Sequence, residues 1–518
     1  MRKFTYKISV LVIFIAIHFF DTDYLHSQTA EEYFYYGNQK SQKNDFWGAI
    51  EDYNKSIELE PFSAGTYNNR GNAYFALKKY TLALEDYTRA VELKEDFSTA
   101  YNNRGKINSI LKKYEDAVRD FTAAVQFKKD LLSAYFDRGI AYMALYKFEE
   151  AKNDFTKAIE LTLNYAEAYF LRSIVSSEMG KTDEAMQDLA KAIEFKPNYA
   201  EPYLKRGMLY VEQDDYGNAV ADFTKYIEIK PDVDSVYNFR GSSYYILGKL
   251  ESALKDYNKA IELNPDYFEA YYNRAITLDA MKKYEEAVKD YTKAIDLKPD
   301  DPDVYYNRAA AFDNLEKYTE AVNDYTNAIK LRPDDADSYH NRGKIYIELE
   351  KYSEAVKDFT ESLKLNPGEA DALFDRAFAN YHLEKYDEIV KDLTEAIKID
   401  SKIPEYYKYR GLAYNKLQKP DLALNDFNRT LEMDANQSEI LIIRGNIFSD
   451  MQKYEEAIKD YSSAIVLDPE DPRPYIGRAL VKHKIGKKEE GNEDLYKAKE
   501  LGDESADELI KKFSSGSN

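Results

Sequence analysis

Arginine recurs every 34 residues, thirteen times without a slip, from Arg70, Arg104 and Arg138 through Arg308 and Arg342 to Arg478. Aspartate keeps the same period fourteen times, from Asp52 and Asp86 through Asp290 and Asp324 to Asp494. A guanidinium and a carboxylate can join through two parallel hydrogen bonds, and a buried charge is tolerated only when it is paired. The chemistry this spacing points to is a structural ladder of ion pairs, not bond making. The ends of the series suggest its register. The first block carries Tyr36 where an arginine belongs, yet it retains Asp52. If each arginine meets the aspartate of the preceding block, Arg70 pairs with Asp52, Arg308 with Asp290 and Arg342 with Asp324. Continued past the last block, the same register sets Lys512 opposite Asp494. The within-block alternative, Arg70 with Asp86, leaves both end features without a reason.

Other chemistry finds few residues to carry it. There are five histidines, of which His340, His382 and His483 lie outside the first thirty residues, and none has a metal-ligand spacing. His340 and His382 could still be neighbours on one face. Cysteine is absent, which excludes disulfides, thiolate metal sites and a cysteine nucleophile. No glycine-rich phosphate loop and no nucleophile elbow occurs. The expectation is no enzymatic activity, no metal and no cofactor. A formal charge of −21 argues against a nucleic-acid backbone as partner and favours basic or neutral polypeptides.

The period itself defines the elements. In the block 302–335, Tyr305, Arg308, Ala309 and Phe312 share one helical face. Leu315, Lys317 and Tyr318 lead into a second stripe carrying Ala321, Asp324, Tyr325 and Ala328, and Pro333 stops it. The unit is helix, tight turn, helix, proline-bearing turn. A fixed period without insertion means one such unit stacked on copies of itself.

The pattern closely resembles the tetratricopeptide repeat. Numbered from its first residue, the block beginning at Asp234 supplies the aromatic, small and proline positions of that family as Tyr237, Gly241, Tyr244, Ala253, Tyr257, Ala260 and Pro265. The resemblance covers fourteen blocks over residues 30–505 and implies an all-α, right-handed superhelical solenoid. The last block is atypical, with Lys482 where an aromatic belongs and Gly491 in place of alanine. Residues 506–513 then read as a closing helix and 514–518 as a frayed tail.

In this family the inner face is lined by the first helix of each repeat, and its function is to hold polypeptides. The resemblance carries that role onto Tyr272, Tyr306, His340 and Phe374 at position five and onto Asp279 and Asp313 at position twelve, with Tyr381 beside them. An acidic, aromatic groove suits a peptide or protein segment bearing Lys or Arg. Glu269, Asp303, Asp337 and Asp371 at position two are better explained as first-turn acids that complement the helix dipole. The lysine and arginine cluster with which some members grip a chaperone carboxylate is missing, since only Lys408 stands at position five.

The first residues are a different material. Arg2, Lys3 and Lys7 precede an apolar run of 13 residues from Ile8 to Phe20, followed by Asp21, Asp23 and Ser27. This is the pattern of a secretory signal peptide ending at Ser27, and the run is short for a helix that must cross a bilayer with roughly 20 residues. The expected setting is the periplasm or cell surface, with an uncleaved membrane anchor as the alternative. The chain as a whole reads as an exported, non-enzymatic scaffold or adaptor. The alternatives are a membrane-anchored or cytoplasmic co-chaperone and an enzyme with an unrecognised site in the groove.

Overall fold

A computed structural model describes residues 29–515, so the expected leader lies outside the described residues, as do the last three of the tail. Among the described residues there are twenty-nine helices and no strand. They form two compact units, the first ending at Pro265 and the second beginning at Asp266. The first holds seven helix pairs, from Ala30–Gln42 and Phe46–Leu59 to Asp234–Ile246 and Leu250–Leu263. The second holds seven more, from Phe268–Ala280 and Tyr284–Leu297 to Arg473–Lys484 and Lys488–Glu500, and then the helix Glu504–Ser515. That last helix runs beyond both ends of the span 506–513 expected for it.

The turn inside each pair is made the same way. After Pro302–Asn314, Glu316 adopts φ +56°. The Lys317 N–H then returns to the Phe312 carbonyl at 2.9 Å and the Glu316 N–H to Asp313 at 2.8 Å. This double closure satisfies carbonyls that the helix end would otherwise leave open. Non-glycine residues hold the left-handed position in eleven repeats, including Lys78, Tyr146 and Gln418, where most chains would use glycine.

Packing explains the repeating small residues. In the second helix of most pairs small residues bracket a buried ring, as with Ala321 and Ala328 around Tyr325, which is 2% exposed, and Leu189, Leu393 and Leu495 take the ring's place in three others. The facing first helix must leave room for that ring. A Cβ on Gly241 would lie 2.8 Å from Tyr257 Cε1, so glycine there permits close approach of the two helices. Within each unit the second helix then packs on the first helix of the following repeat, giving a stack of small cores such as Ala309, Ala321, Tyr325 and Ile345.

Candidate functional site

The charged ladder is present, but its register is the within-repeat one. Arg308 donates through Nε and Nη2 to Asp324 at 2.6 and 2.8 Å, and its Nη1 reaches Thr292 Oγ1 of the preceding repeat at 2.9 Å. Asp290, expected as the partner of Arg308, instead accepts from Arg274 at 2.6 Å. Likewise Arg70 pairs with Asp86, not Asp52, and Arg342 with Asp358, not Asp324. The reason is antiparallel geometry. Arg308 and Asp324 lie eight residues on either side of the turn residue Glu316, so the two helices bring them to the same level.

The ends resolve differently as well. Asp52 takes Lys40 at 2.8 Å, and Asp494 takes Arg478 at 2.7 Å and Lys482 at 2.9 Å, in place of Lys512. Lys40 and Lys482 each stand one helical turn beyond the arginine position, on the same face. The aspartates are buried, with Asp324 4% exposed, whereas the Arg308 side chain is 16% exposed between the Tyr305 and Phe312 rings. The arginine position is therefore a sandwiched edge position, whereas the aspartate that it meets is buried.

Four of the expected groove residues form one run in the second unit. Position five of one repeat meets position six of the next. Asn307 donates to the Tyr272 hydroxyl and Asn341 to the Tyr306 hydroxyl, each at 2.8 Å. His340 Nε2 lies 2.8 Å from Asp375, and the Phe374 ring packs edge-on against Tyr409 at 5.6 Å. Tyr381 joins the same aromatic group through Tyr409 at 5.7 Å. His382 is not part of a pair with His340; it stacks on Tyr352 at 4.3 Å.

The two position-twelve carboxylates differ. Both are pushed above the ordinary carboxylate range by burial, but beside Asp313 the Lys344 ammonium opposes that push while Glu348 adds to it. Asp279 has no such neighbour, and its Oδ1 is buried without a hydrogen-bond partner. Burial pushes the Tyr272 phenol up to about 12, Asp303 and Asp301 adding to it, so that hydroxyl stays protonated at neutral pH. The position-two acids are edge residues. Asp303 receives both Nη groups of Arg332, and in the first unit Glu167 pairs with Lys196 at 2.5 Å. Asp303 thus has a partner within its own repeat.

Several residues that shape this face were not singled out by the sequence. Asn307, Asn341 and Asp375 at position six make the contacts that order position five. Their recurrence in register was the available signal. Among the described residues no group of three or more His, Asp or Glu side chains could hold a metal ion, and no helix is long and apolar enough to cross a membrane.

Antiparallel helix pairs at a fixed period, each packed on the next within a unit, define a helical-repeat protein. The chain belongs to the tetratricopeptide-repeat family. Models described as TPR repeat match residues 37–78, 177–214, 241–282, 278–315, 314–349 and 445–486. Those described as tetratricopeptide repeat match 64–97, 98–131, 133–165, 200–233 and 336–369. Among solved structures, a tetratricopeptide repeat protein from Parabacteroides merdae is 23% identical over 49% of this chain and 100% of its own, with a TM-score of 0.36. YrrB, described as a TPR protein with an unusual peptide-binding site, is 24% identical over 36% of this chain and 96% of its own, with a TM-score of 0.33. The Cut9–Hcn1 assembly of the APC/C is 15% identical over 88% of this chain and 96% of its own, with a TM-score of 0.32. Among curated proteins none matches.

Proposed function

We propose that this chain is a non-enzymatic scaffold that holds polypeptide segments, and that residues 268–403 take a segment bearing lysine or arginine. Asp279 is the observation that carries the reading. A half-buried carboxylate with one oxygen lacking any donor is costly to keep charged. An incoming ammonium or guanidinium would offset that cost, and the Tyr272 and Tyr306 rings along the same face suit the flat side of a cation. Polypeptide binding is also the role that the tetratricopeptide family implies.

The test is fluorescence anisotropy with a labelled alternating Gly-Lys peptide, compared with a Gly-Glu peptide of equal length. Binding of the first alone, weakened in Asp279→Asn, supports the reading. Equal binding of both peptides, or no effect of Asp279→Asn, overturns it.

We further propose that the chain acts after export, at the periplasm or cell surface. The basic start, the apolar run Ile8–Phe20 and the polar exit at Ser27 support this. N-terminal sequencing of the purified protein should begin at or near Gln28. A start at Met1 would favour the anchored alternative.

A further inference from the structure

One cleft in the second unit lies outside the position-five and position-twelve residues above, although the ladder's Arg444 borders it. It has a volume of about 540 Å³ and lies between the helices Pro420–Met433, Ser438–Asp450 and Tyr454–Leu467. Two departures from the repeat coincide there. In nine repeats, positions 26 and 29 of the block carry opposite charges that pair along the second helix, from Arg89–Glu92 at 3.0 Å to Lys497–Glu500 at 3.3 Å. The helix Tyr454–Leu467 has Ser463 and Val466 in those places, and Val466 is 79% exposed. The connection Asp434–Gln437 also differs. Its shape is set by the Asp434 carboxylate, which accepts from the Asn436 N–H at 3.0 Å and from the Gln437 side chain at 2.5 Å.

The lining has a definite chemistry. Leu431, Leu441, Val466 and Leu467 supply an apolar wall. Lys459, Ser463 and the Asn436 side chain supply donors that no neighbouring group occupies among the described residues, and no carboxylate lines the cleft. Arg444 also borders it, but its charge is met by Asp460 at 2.7 Å. In a chain of formal charge −21, an apolar cleft bordered by a free ammonium and no acid selects for a negative group beside an apolar one.

We propose that this cleft is a second binding site, for a partner polypeptide that presents a leucine-sized side chain directly beside a carboxylate. The side chain fills the apolar wall vacated by the missing ion pair, and the carboxylate meets Lys459. The Ser463 hydroxyl and the Asn436 amide are placed to serve peptide groups, for which a fatty acid has no use, and they favour a polypeptide as the occupant.

The experiment is methyl NMR of the full chain titrated with the peptide acetyl-Gly-Ser-Gly-Leu-Leu as its free carboxylate, as its amide, and with dodecanoate. The carboxylate peptide should shift the Val466 and Leu441 methyls saturably. Lys459→Met should weaken it about two- to fivefold, the range of one solvent-exposed ion pair. The double variant Ser463→Lys/Val466→Glu, which restores the ion pair of the other repeats, should abolish the Leu441 shift with helicity unchanged. No shift at ~1 mM peptide, the range of a single weak anchor, would overturn the proposal. So would equal affinity for the amide, or a response to dodecanoate alone. Because the groove residues are untouched, these outcomes are independent of the Gly-Lys peptide test.

Discussion

Arg308 and Asp324 face each other across one helical hairpin, joined by two hydrogen bonds of 2.6 and 2.8 Å and centred on the turn residue Glu316. The third arm of the same guanidinium, on Thr292, is what crosses to the neighbouring repeat. Stability within a repeat and adhesion between repeats thus share one side chain.

Removing that side chain should leave Asp324 buried and unpaired. Arg308→Ala is expected to cost on the order of 3 kcal/mol, toward the low end for a buried pair because the arginine is part-exposed. Adding Asp324→Asn should recover part of the loss, whereas adding Asp290→Asn should deepen it, since Asp290 serves Arg274. Urea unfolding followed by circular dichroism separates these outcomes. Recovery with Asp290→Asn would contradict the within-repeat register.

A pH dependence should be visible at Asp137 in the first unit. It is 6% exposed, its Oδ2 has no hydrogen-bond partner, and the nearest ammonium, Lys106, is 3.6 Å away. Burial raises its carboxyl from 3.8 to about 6, against the opposing pull of Lys106. The folded chain therefore holds this proton more tightly than the unfolded chain does. The group destabilises the fold above about pH 6, and that cost fades as pH falls toward its unfolded value near pH 4. Asp137→Asn should stabilise by about 1–3 kcal/mol at pH 8, with the gain shrinking by pH 4.5. A gain that grows on acidification would contradict the assignment.

The hairpin turns offer a test of backbone strain. Tyr146 sits at φ +58° while 79% exposed, so its ring contributes little burial to offset the conformation. Tyr146→Gly should raise stability by about 1 kcal/mol. Gly180→Ala, at φ +72° with open space around it, should lower stability by a similar ~1 kcal/mol. Thermal melts of both variants check the pair of signs.

In the groove, rings and charges should respond differently to salt. Changing Tyr272, Tyr306 and Phe374 together to alanine should weaken capture of the Gly-Lys peptide at any ionic strength. Asp279→Lys with Asp313→Lys should weaken it more at low salt than at high, because the part of the repulsion that passes through solvent is screened over ~8–10 Å at ordinary ionic strength. Equal salt responses of the two variants would remove the distinction.

The period, the helix pairs and the identity of the ladder's residue types are legible in the sequence, because one pattern is repeated in register along the chain. The ladder's register is not. Tyr36 and Lys512 suggested pairing between repeats, but single substitutions at chain ends say less than the symmetry of a hairpin about its turn. Lys40 and Lys482, both replacing an aromatic, were the better clue to the ends. The position-five residues form one run, yet what orders them is position six, whose asparagines look unremarkable in a chain rich in polar residues. The cleft beside Val466 is visible in the sequence only as a lapse in charge alternation, and nothing in that lapse reveals a volume.

Because each arginine finds its aspartate inside its own block, a copy of that block carries a complete pair with it. The link to Thr292 and its equivalents then re-forms with whatever copy precedes. Internal duplication or loss of a block in register leaves every arginine of the ladder matched, whereas pairs that cross between repeats, such as Lys106 with Asp137, depend on which block is the neighbour, and the terminal blocks bring in Lys40 and Lys482. The ladder therefore sets no limit of its own on the number of repeats, because a chain longer or shorter by one block still leaves no arginine of the series without its aspartate.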